Sequence, residues 1–431
     1  MKRVVSSKIC PILNAKIMSQ SDEELPVIVQ LRREDDRLEE GIMSVSSKVN
    51  KRLPLINGIA CNLDIETIYR LANNPNVEFI SFDSEVYALL DISVPTVEAQ
   101  FPHNQGYKGK GITVAVVDTG VAPHQDLTRP VNRIIGFKDF VNNEADPYDD
   151  NGHGTHVAGI IAGNGYSSRG KYVGIAPEAN ILAIKALNKR GSGNMSDIIG
   201  ALQYVLETKD KYNTRIINLS FGSPANVSYE KDPLCKSVKE LKNAGLVVIA
   251  AAGNSGPDKR TIVSPGISPD VITVGAVDDK RTIDPSDDEI ASFSSRGPTR
   301  EGLAKPDVVA PGVNINSLSN TELDGYKKMS GTSMATPLIS GSVALLLDKY
   351  GSLSPNEVKE KLMNSCIDLK DDPENQGSGL VNLQKLFDEE NTSSDKNTDK
   401  QRRSKPYPHN PDFIEELLTL FLILYLLNKE I

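Results

Sequence analysis

The stretch KKMSGTSMATPLISGSVALLLDKY, residues 327–350, decides how the rest of the chain is interpreted. Gly331, Thr332 and Ser333 end a loop, and from Met334 onward apolar and small residues recur at helical spacing. We therefore expect Ser333 at the mouth of a buried helix, with Pro337 in the tolerated first turn. Unpaired N–H groups and the helix dipole at such a start stabilise an oxyanion, which suits a nucleophile. Taken alone, however, an ordinary Gly-Thr-Ser cap on a core helix is the commoner interpretation.

Composition sets broad limits on the class of protein. The chain has 431 residues, 39% of them hydrophobic, which is enough for a large core in two or three units. Its net charge is -9 and it carries no Lys/Arg block on a predicted helix face, which argues against nucleic-acid binding. Cys10, Cys61, Cys235 and Cys366 lack metal-ligand spacing, so we expect free, buried thiols. The N-terminus is a poor secretion signal, which favours a cytoplasmic location, with export as the alternative.

The first 90 residues predict a small module that precedes a larger domain. Residues 1–24 are expected to form an irregular leader, and residues 25–90 an α+β module of about 65 residues. Its predicted strands are 26–31, 52–63 and 77–82, and its predicted helices are 35–50 and 64–72, the latter capped by Asp64. The module carries no catalytic constellation of its own.

Beyond Tyr107 the pattern changes to strands that alternate with helices. Nearly continuous apolar runs of strand length, typical of parallel strands covered on both faces, occur at 112–117, 181–186, 215–219, 246–251 and 271–277. Helical patterns lie at 153–162, at 196–208 with Ser196 as cap, and at 234–244. This alternation predicts an α/β fold, a doubly wound and mostly parallel sheet flanked by helices, whose ligands bind at the carboxyl ends of the strands.

Four polar side chains are predicted to lie at the carboxyl ends of these strands or at the helix starts beside them, where ligands bind. Asp118 directly follows a strand, His153 and His156 enter a helix within DDNGHGTH, and Asn254 ends another strand. Each could be a turn or packing residue, and the histidine pair lacks the third ligand of a metal site. Together with Ser333 they supply a nucleophile, a base, an orienting carboxylate and an oxyanion donor, the full set for acyl transfer.

Several segments in one order then carry a family resemblance, over roughly residues 91–386: VAVVDTGV, HGTHVAGIIAG, INLSFG, AAGNSG, SFSSRGP, KPDVVAPG and GTSMATP. The chain resembles the subtilisin-like serine proteases, or subtilases, of the bacterial type with an N-terminal propeptide, in which the order is Asp, His, Ser. The resemblance implies a subtilisin-like fold and a serine endopeptidase that acts through an acyl-enzyme. It assigns Asp118, His153 and Ser333 to the catalytic triad, Asn254 to the oxyanion hole, and a structural role to His156.

The resemblance also implies how a protein or peptide substrate binds. In the family the substrate adds a β-strand between two edges, and backbone pairing of that kind gives affinity without sequence choice. The matching edges here are Gly191, Ser192 and Gly193 on one side and Ser220, Phe221 and Gly222 on the other. Phe221, Ala251, Ala252 and Gly253 are expected to wall the first pocket, which we expect to prefer large apolar side chains.

The α+β module resembles the family's propeptide, an intramolecular chaperone and inhibitor of its own enzyme. Slow folding of a sheet rich in non-local contacts gives such a template a physical use. Matching the mature start places self-processing at Leu90 and Asp91, with Tyr87 in the fourth pocket and a peptidase domain at 91–390. The alternative is a non-catalytic, peptide-binding scaffold that keeps its module, and labelling with a serine-directed fluorophosphonate separates the two.

Cofactors are not required by the implied mechanism, and no metal ligands can be assigned. Calcium-bound relatives pair an Asp, here Asp126, with an Asn-bearing loop. The matching loop, residues 165–173, carries Ser167, Ser168, Arg169 and Lys171, with no acidic residue or Asn. Because hard cations need oxygen ligands and negative charge, we expect this site to be absent or occupied by the basic side chains. Calcium at another position stays open.

The C-terminal tail lies outside the resemblance. Residues 391–412 are polar and predict a disordered linker, and residues 413–431 predict an apolar helix, FIEELLTLFLILYLL at its core. Fifteen helical residues span about 22 Å, short of the roughly 30 Å hydrocarbon core of a bilayer. We favour a helix that docks on the protein or on a partner, with membrane association as the alternative.

Overall fold

The computed structural model describes residues 7–10, 13–14, 16–17, 24–83, 97–280, 282 and 284–388, together with the backbone of 85–88. The predicted processing bond between Leu90 and Asp91 and the predicted segments 391–412 and 413–431 lie outside the described residues. All four cysteines are free, and three of them are buried, whereas Cys366 is half-buried. Within the described part of the chain, no helix is long and apolar enough to span a bilayer.

The N-terminal module is a four-stranded antiparallel sheet with two helices, and its strands follow the order β2-β3-β1-β4. Its elements are β1 (Leu25–Leu31), α1 (Asp36–Val45), β2 (Lys48–Leu53), β3 (Gly58–Leu63), α2 (Ile65–Ala72) and β4 (Val77–Phe82). The side chain of Asp64 caps α2 as predicted, accepting from the N–H of Thr67 at 2.8 Å.

The prediction of a single strand over 52–63 is wrong. A 3₁₀ turn at Pro54–Ile56 and a left-handed Asn57, with φ 47°, reverse the chain and divide the segment into two antiparallel strands. Helix α1 is also shorter than predicted, since residues 48–50 pair in β2 rather than continuing the helix.

The leader was predicted to be irregular, but part of it pairs and packs with the module. Ile9 forms a parallel bridge with Ile80 of β4, and the N–H of Cys10 donates to the carbonyl of Ile80 at 3.0 Å. Ile9, Cys10, Leu13 and Ile17 are buried in the same apolar cluster as α1 and α2. The run of apolar residues in this segment is too short and too often interrupted by polar residues to predict this packing from the sequence.

The larger domain is built on an eight-stranded sheet with the order β14-β13-β12-β10-β6-β8-β7, in which β15 also pairs with β13. All these pairings are parallel except β13 with β14. The strands are β6 (Thr113–Asp118), β7 (Ile134–Asp139), β8 (Asn180–Lys185), β10 (Thr214–Leu219), β12 (Val247–Ala251), β13 (Ile272–Asp278), β14 (Glu289–Ile290) and β15 (Val308–Pro311). The five strands that we predicted are present within one or two residues at each end.

Two further short sheets are present among the described residues. The first has the order β11-β5-β9 and consists of β5 (Glu85–Ala88), β9 (Ser192–Asn194) and β11 (Phe221–Gly222). The second is the hairpin of β16 (Ile315–Leu318) and β17 (Tyr326–Met329), which leads into the helix that begins with Thr332.

Helices cover both faces of the large sheet, as a doubly wound fold requires. The helices described in this domain are α3 (Gln100–Asn104), α4 (Gln125–Thr128), α5 (His153–Ala162), α6 (Met195–Tyr212), α7 (Pro233–Asn243), α8 (Thr332–Tyr350), α9 (Pro355–Asn364), α10 (Pro373–Gln376) and α11 (Leu383–Phe387). Side chains of β6 alternate between two cores: Val114 and Val116 pack with α5 and α8, and Ala115 and Val117 pack with α6 and α7. Every residue of α5 is buried.

Two helix details differ from the predictions. Asn194 rather than Ser196 precedes α6, and the N–H of Ser196 is satisfied instead by the Asp83 carboxylate at 2.9 Å. Pro337 lies beyond the first turn of α8, because the helix begins at Thr332. Proline cannot donate to the carbonyl four residues earlier, that of Ser333, and this carbonyl accepts from the hydroxyl of Ser220 at 2.9 Å.

Candidate active site

Asp118 is the last residue of β6 and lies at the carboxyl edge of the parallel sheet. Its side chain is fully buried, and its Oδ1 accepts from the N–H of Thr119 at 2.7 Å. The same oxygen lies 2.7 Å from Nδ1 of His153. A carboxylate can only accept, so this contact places the proton of a neutral imidazole on Nδ1 and leaves Nε2 as the basic nitrogen.

His153 is the first residue of α5, and its N–H donates to Oδ1 of Asn151 at 3.1 Å. The next residue must be small, since a Cβ on Gly154 would collide with the carbonyl of Gly120. This close approach brings the start of α5 against the turn that follows Asp118. The carboxylate and imidazole are therefore paired by backbone packing as well as by their own hydrogen bond.

Ser333 is the second residue of α8, as the sequence indicated, and its side chain is buried. Its hydroxyl donates to the carbonyl of Ser220 at 3.0 Å. Ser220 directly follows β10, so the reciprocal bonds between these two serines tie the start of α8 to the carboxyl edge of the sheet. In the first turn of α8, the N–H groups of Thr332, Met334 and Ala335 have acceptors, whereas that of Ser333 has none among the described residues.

Asn254 follows β12 and is anchored to the start of α8. Its Oδ1 accepts from the N–H of Thr332 at 3.0 Å and from the Thr332 hydroxyl at 3.1 Å. The N–H of Gly253 donates to the same hydroxyl at 3.2 Å. With the carbonyl end of the amide fixed beside Ser333, its Nδ2 points the other way and has no hydrogen-bond partner among the described residues. A side-chain donor is thus oriented next to the serine.

His156 has a packed position one turn into α5. It is fully buried, and its Nε2 lies 3.0 Å from the carbonyl of Ile315 and 3.2 Å from that of Lys327. Burial lowers the pKa of His156 to about 3, with the nearby His153 as a second cause. A neutral imidazole that bridges β16 and β17 holds the hairpin before α8, which is the structural position that we expected.

The two predicted substrate edges flank one segment of the N-terminal module. Strand β5 pairs antiparallel with β9, where Tyr87 is opposite Ser192, and with β11, where Ala88 is opposite Phe221. Gly191 lies in the turn just before β9, with φ 75°. The backbone of residues 85–88 therefore forms the central strand of a three-stranded sheet between the two edges.

The four residues predicted to wall the first pocket are all buried. Phe221, Ala251 and Ala252 are fully buried, and Ala252 packs with Cys235, Ile262 and Ile267. Gly253 has φ 113°, a conformation that favours glycine, and a Cβ there would crowd Val263 and Ser295. Contact of these residues with a substrate stays a prediction.

Asp126 is not available as a metal ligand in the way that calcium-bound relatives imply. Its buried Oδ1 accepts from the N–H of Ser167 at 2.8 Å, and its Oδ2 accepts from the Tyr326 hydroxyl at 2.6 Å. Tyr326 also packs against Tyr172 of the same loop, with ring centroids 4.7 Å apart. The donors to this carboxylate are thus a loop N–H and a tyrosine hydroxyl, and not the basic side chains that were one of the two alternatives.

A calcium ion does not fit this arrangement, because the groups that face Asp126 are an N–H and a tyrosine hydroxyl, and the loop of residues 165–173 carries no acidic residue or Asn. Across the residues that the structure describes, no group of three or more His, Cys, Asp or Glu side chains could hold a metal ion. The tyrosine was missed in the sequence because it lies 200 residues from Asp126.

Comparison with known proteins gives the family of the chain. Residues 109–399 match the model of the Subtilase family. The chain belongs to the subtilase family. It is similar to a protein named Serine protease AprX from Bacillus subtilis, with 46% identity over 360 residues, or 78% of this chain and 80% of that protein. A Thermostable alkaline protease from Halalkalibacterium halodurans is 32% identical over 383 residues, 88% of this chain and 97% of that protein.

Subtilisin E from Bacillus subtilis is 34% identical over 351 residues, which covers 80% of this chain and 84% of subtilisin E. The chain is therefore a serine endopeptidase, as the sequence motifs implied. The predicted fold class is confirmed as well, since the mainly parallel sheet with helices on both faces is the subtilase architecture.

Several residues of this subtilase site were not singled out from the sequence. Asp149, Thr119 and Thr332 all make buried hydrogen bonds next to the predicted side chains. Asp149 lies in the same DDNGHGTH stretch as the histidines. An acidic residue just before a predicted helix start is typical of a capping residue, and this pattern could have identified it from the sequence.

Proposed function

We propose that this subtilase hydrolyses peptide bonds through a triad of Asp118, His153 and Ser333, with an acyl-enzyme intermediate. The observation that carries the proposal is the buried contact of 2.7 Å between Asp118 Oδ1 and His153 Nδ1, at the same sheet edge where Ser333 begins α8. Histidine held in this tautomer is the base that a serine nucleophile needs.

In the proposed reaction, the Ser333 hydroxyl turns from the carbonyl of Ser220 to Nε2 of His153 and attacks the substrate carbonyl. His153 takes the proton and later donates it to the leaving amine, and Asp118 stabilises the imidazolium. The oxyanion accepts from the N–H of Ser333 and from Nδ2 of Asn254. Water then repeats the sequence on the acyl-enzyme and releases the acid product.

We further propose that the N-terminal module is a propeptide that inhibits the enzyme until it cleaves itself. Support comes from β5, whose backbone lies between β9 and β11 in the way that an added substrate strand would. Strand β5 ends at Ala88, two residues before the predicted bond between Leu90 and Asp91. A segment that already fills the groove excludes other peptides from it.

The test is the variant Ser333→Ala, with Ser342→Ala in the same helix as matched control. Ser342 is buried and donates to the carbonyl of Leu338 at 2.8 Å, so its loss perturbs α8 without touching the site. We expect Ser333→Ala to lose peptide hydrolysis and to stay at full-length mass, and Ser342→Ala to process near Leu90 and turn over substrate. Undiminished turnover by purified Ser333→Ala would remove Ser333 from the mechanism, and a mature start far from Leu90 would discard the processing site.

A further inference from the structure

Asp149 is a buried carboxylate at the entrance to α5 that the proposed mechanism does not use. It is 7% exposed and accepts five hydrogen bonds. Oδ1 accepts from the Thr119 hydroxyl at 2.9 Å and from the N–H groups of Asn151 at 3.0 Å and Gly152 at 2.7 Å. Oδ2 accepts from the N–H and the hydroxyl of Thr155, at 2.9 and 2.7 Å.

These bonds join the two segments that carry the acid and the base. Thr119 belongs to the turn after Asp118, and its hydroxyl also accepts from the N–H of Gly154 in α5 at 2.9 Å. Thr155 belongs to α5, and its hydroxyl accepts from the N–H of Ala122 beyond the same turn at 2.9 Å. Each threonine therefore links turn to helix, and Asp149 fixes both hydroxyls.

The main chain of Asp149 extends the connection toward the nucleophile. Its carbonyl accepts from Nδ2 of Asn320 at 3.0 Å, and Oδ1 of Asn320 accepts from Nζ of Lys327 at 3.0 Å. Lys327 lies in β17, the strand that leads into α8. Asp149 also forms an antiparallel bridge with Gly120.

We propose that Asp149 is a positioning residue for His153, an inference that rests on the triad proposed above. Its hydrogen bonds go to the turn and to the helix start rather than to the reacting side chains. It sets where the first turn of α5 lies relative to Asp118, and so where the imidazole lies relative to both Asp118 and Ser333. Charge-assisted bonds to a buried carboxylate are among the strongest in proteins, which makes this junction stiff.

Asp149→Asn is the informative substitution because it keeps the shape of the side chain and replaces one of the two acceptor oxygens with a donor NH₂ group. Whichever way the amide turns, an NH₂ group faces either the three donors at Oδ1 or the two at Oδ2. The junction must then open. A misplacement of about 1 Å costs on the order of 100-fold in rate, so we expect kcat to fall about 100-fold. KM should stay within about threefold, because the edges β9 and β11 do not depend on these bonds.

Asp139→Asn is the matched control. Asp139 is 2% exposed, ends β7, and accepts from the N–H groups of Val141 at 2.7 Å and Asn142 at 3.1 Å, among others. These bonds, together with those from the N–H of Glu144 and from the Tyr148 hydroxyl, lie within residues 139–148 and do not reach Thr119, Thr155 or α5. We expect Asp139→Asn to lower the melting temperature about as much as Asp149→Asn does. Its kcat should stay within about twofold of that of the parent.

The measurement is kcat and KM of the mature enzyme, corrected for active-site concentration by titration with a fluorophosphonate. A loss in kcat by Asp149→Asn no larger than that by Asp139→Asn, or a loss that appears in KM, overturns the inference. If Asp149→Asn does not fold, Thr119→Val breaks one of the same links isosterically, and kcat unchanged in that variant also overturns it. Retained hydrolysis by Ser333→Ala would instead refute the triad, so the two failures are distinguishable.

Discussion

At the scale of single residues, a hydrogen bond fixes one atom of a proposed catalytic side chain, and the proposed reaction uses another atom of the same side chain. Oδ1 of Asp118 fixes Nδ1 of His153, and Nε2 is the proposed base. The start of α8 fixes Oδ1 of Asn254, which leaves Nδ2 as a donor. Preorganisation of this kind avoids reorganisation at the moment of reaction.

The role of Asn254 can be tested with a substitution that keeps its Oδ1 acceptor and removes its Nδ2 donor. Asn254→Asp keeps the oxygen that accepts from Thr332 and replaces the Nδ2 donor with an oxygen. If that donor stabilises the oxyanion, kcat should fall by at least about 100-fold, as for the corresponding donor of subtilisin, with little change in KM. Steady-state kinetics and thermal unfolding check this, with Asn226→Ala on the surface loop after β11 as control. Activity within threefold of the parent would mean that Asn254 only anchors α8.

The residue types at the site could be predicted from the sequence, but their supporting contacts could not. Asp118, His153, Asn254 and Ser333 each follow or begin a strongly apolar element, so their place at one edge follows from the parallel sheet. Tyr326 and Asp126 meet across 200 residues, and Ser333 meets Ser220 across 113. No periodicity encodes contacts at that separation, because they depend on how the finished elements pack.

At the scale of elements, long and strongly patterned segments were predictable and short ones were not. Strands β6, β8, β10, β12 and β13 have both faces covered, so each is an uninterrupted apolar run. Strands β9 and β11 have only three and two residues and are defined by their pairing with β5. The turn at Asn57 and the packing of the leader depend on tertiary contacts in the same way.

The loop of residues 165–173 is held to the body of the domain by Asp126 and Tyr326. Tyr326→Phe removes the hydroxyl and leaves a buried carboxylate oxygen without its donor. Loss of a hydrogen bond to a charged group costs about 1.5–3 kcal/mol. We therefore expect a melting temperature lower by several degrees and faster proteolysis within the loop, measured in the Ser333→Ala background.

Tyr166→Phe is the control for that experiment, since Tyr166 lies in the same loop and is 53% exposed. It should unfold at the temperature of the parent. A chelator should not reproduce the effect of Tyr326→Phe, because this substitution removes a hydrogen-bond donor to Asp126 rather than a metal ligand. Equal stability of Tyr326→Phe and the parent would show that this hydroxyl does not hold the loop.

At the scale of the whole molecule, the N-terminal module lies against α6 and α7. One face of its sheet packs Ile28 and Ala60 against Met195 and Ile199 of α6. Ion pairs at the edges join Lys51 to Asp197 at 3.2 Å and Glu78 to Lys236 at 2.9 Å. The interface thus combines an apolar centre with charged rims, in addition to the strand β5 in the groove.

Asp83 gives this interface a dependence on pH. Burial raises the pKa of Asp83, as does Asp197, although the Ser196 N–H and Lys51 act in the opposite direction. An aspartate whose pKa is raised above its ordinary value of about 3.9 binds its proton more tightly in the folded state than in the unfolded state. The free energy of unfolding therefore falls as pH rises from the ordinary pKa to the raised pKa. Asp83→Asn cannot lose a proton. Its melting temperature relative to the parent, both in the Ser333→Ala background, should increase from about pH 4 to pH 7.

Asp64→Asn provides a control of opposite sign. The N–H of Thr67 holds the pKa of Asp64 below its ordinary value, so this carboxylate contributes stability that is present above the ordinary pKa and lost on acidification. Relative to the parent, Asp64→Asn should therefore become less stable as pH rises from about 3 to 5. A melting-temperature difference for Asp83→Asn that stays constant or shrinks between pH 4 and 7 would contradict the assignment.

The central claim is that the hydroxyl of Ser333 is the nucleophile of this subtilase. The most direct measurement is to react the processed enzyme with a fluorophosphonate and to locate the adduct by peptide mass spectrometry while following residual activity. We predict one adduct per molecule, on Ser333, with activity lost in proportion to labelling. An adduct on another residue, or full activity after complete labelling of Ser333, would contradict the account.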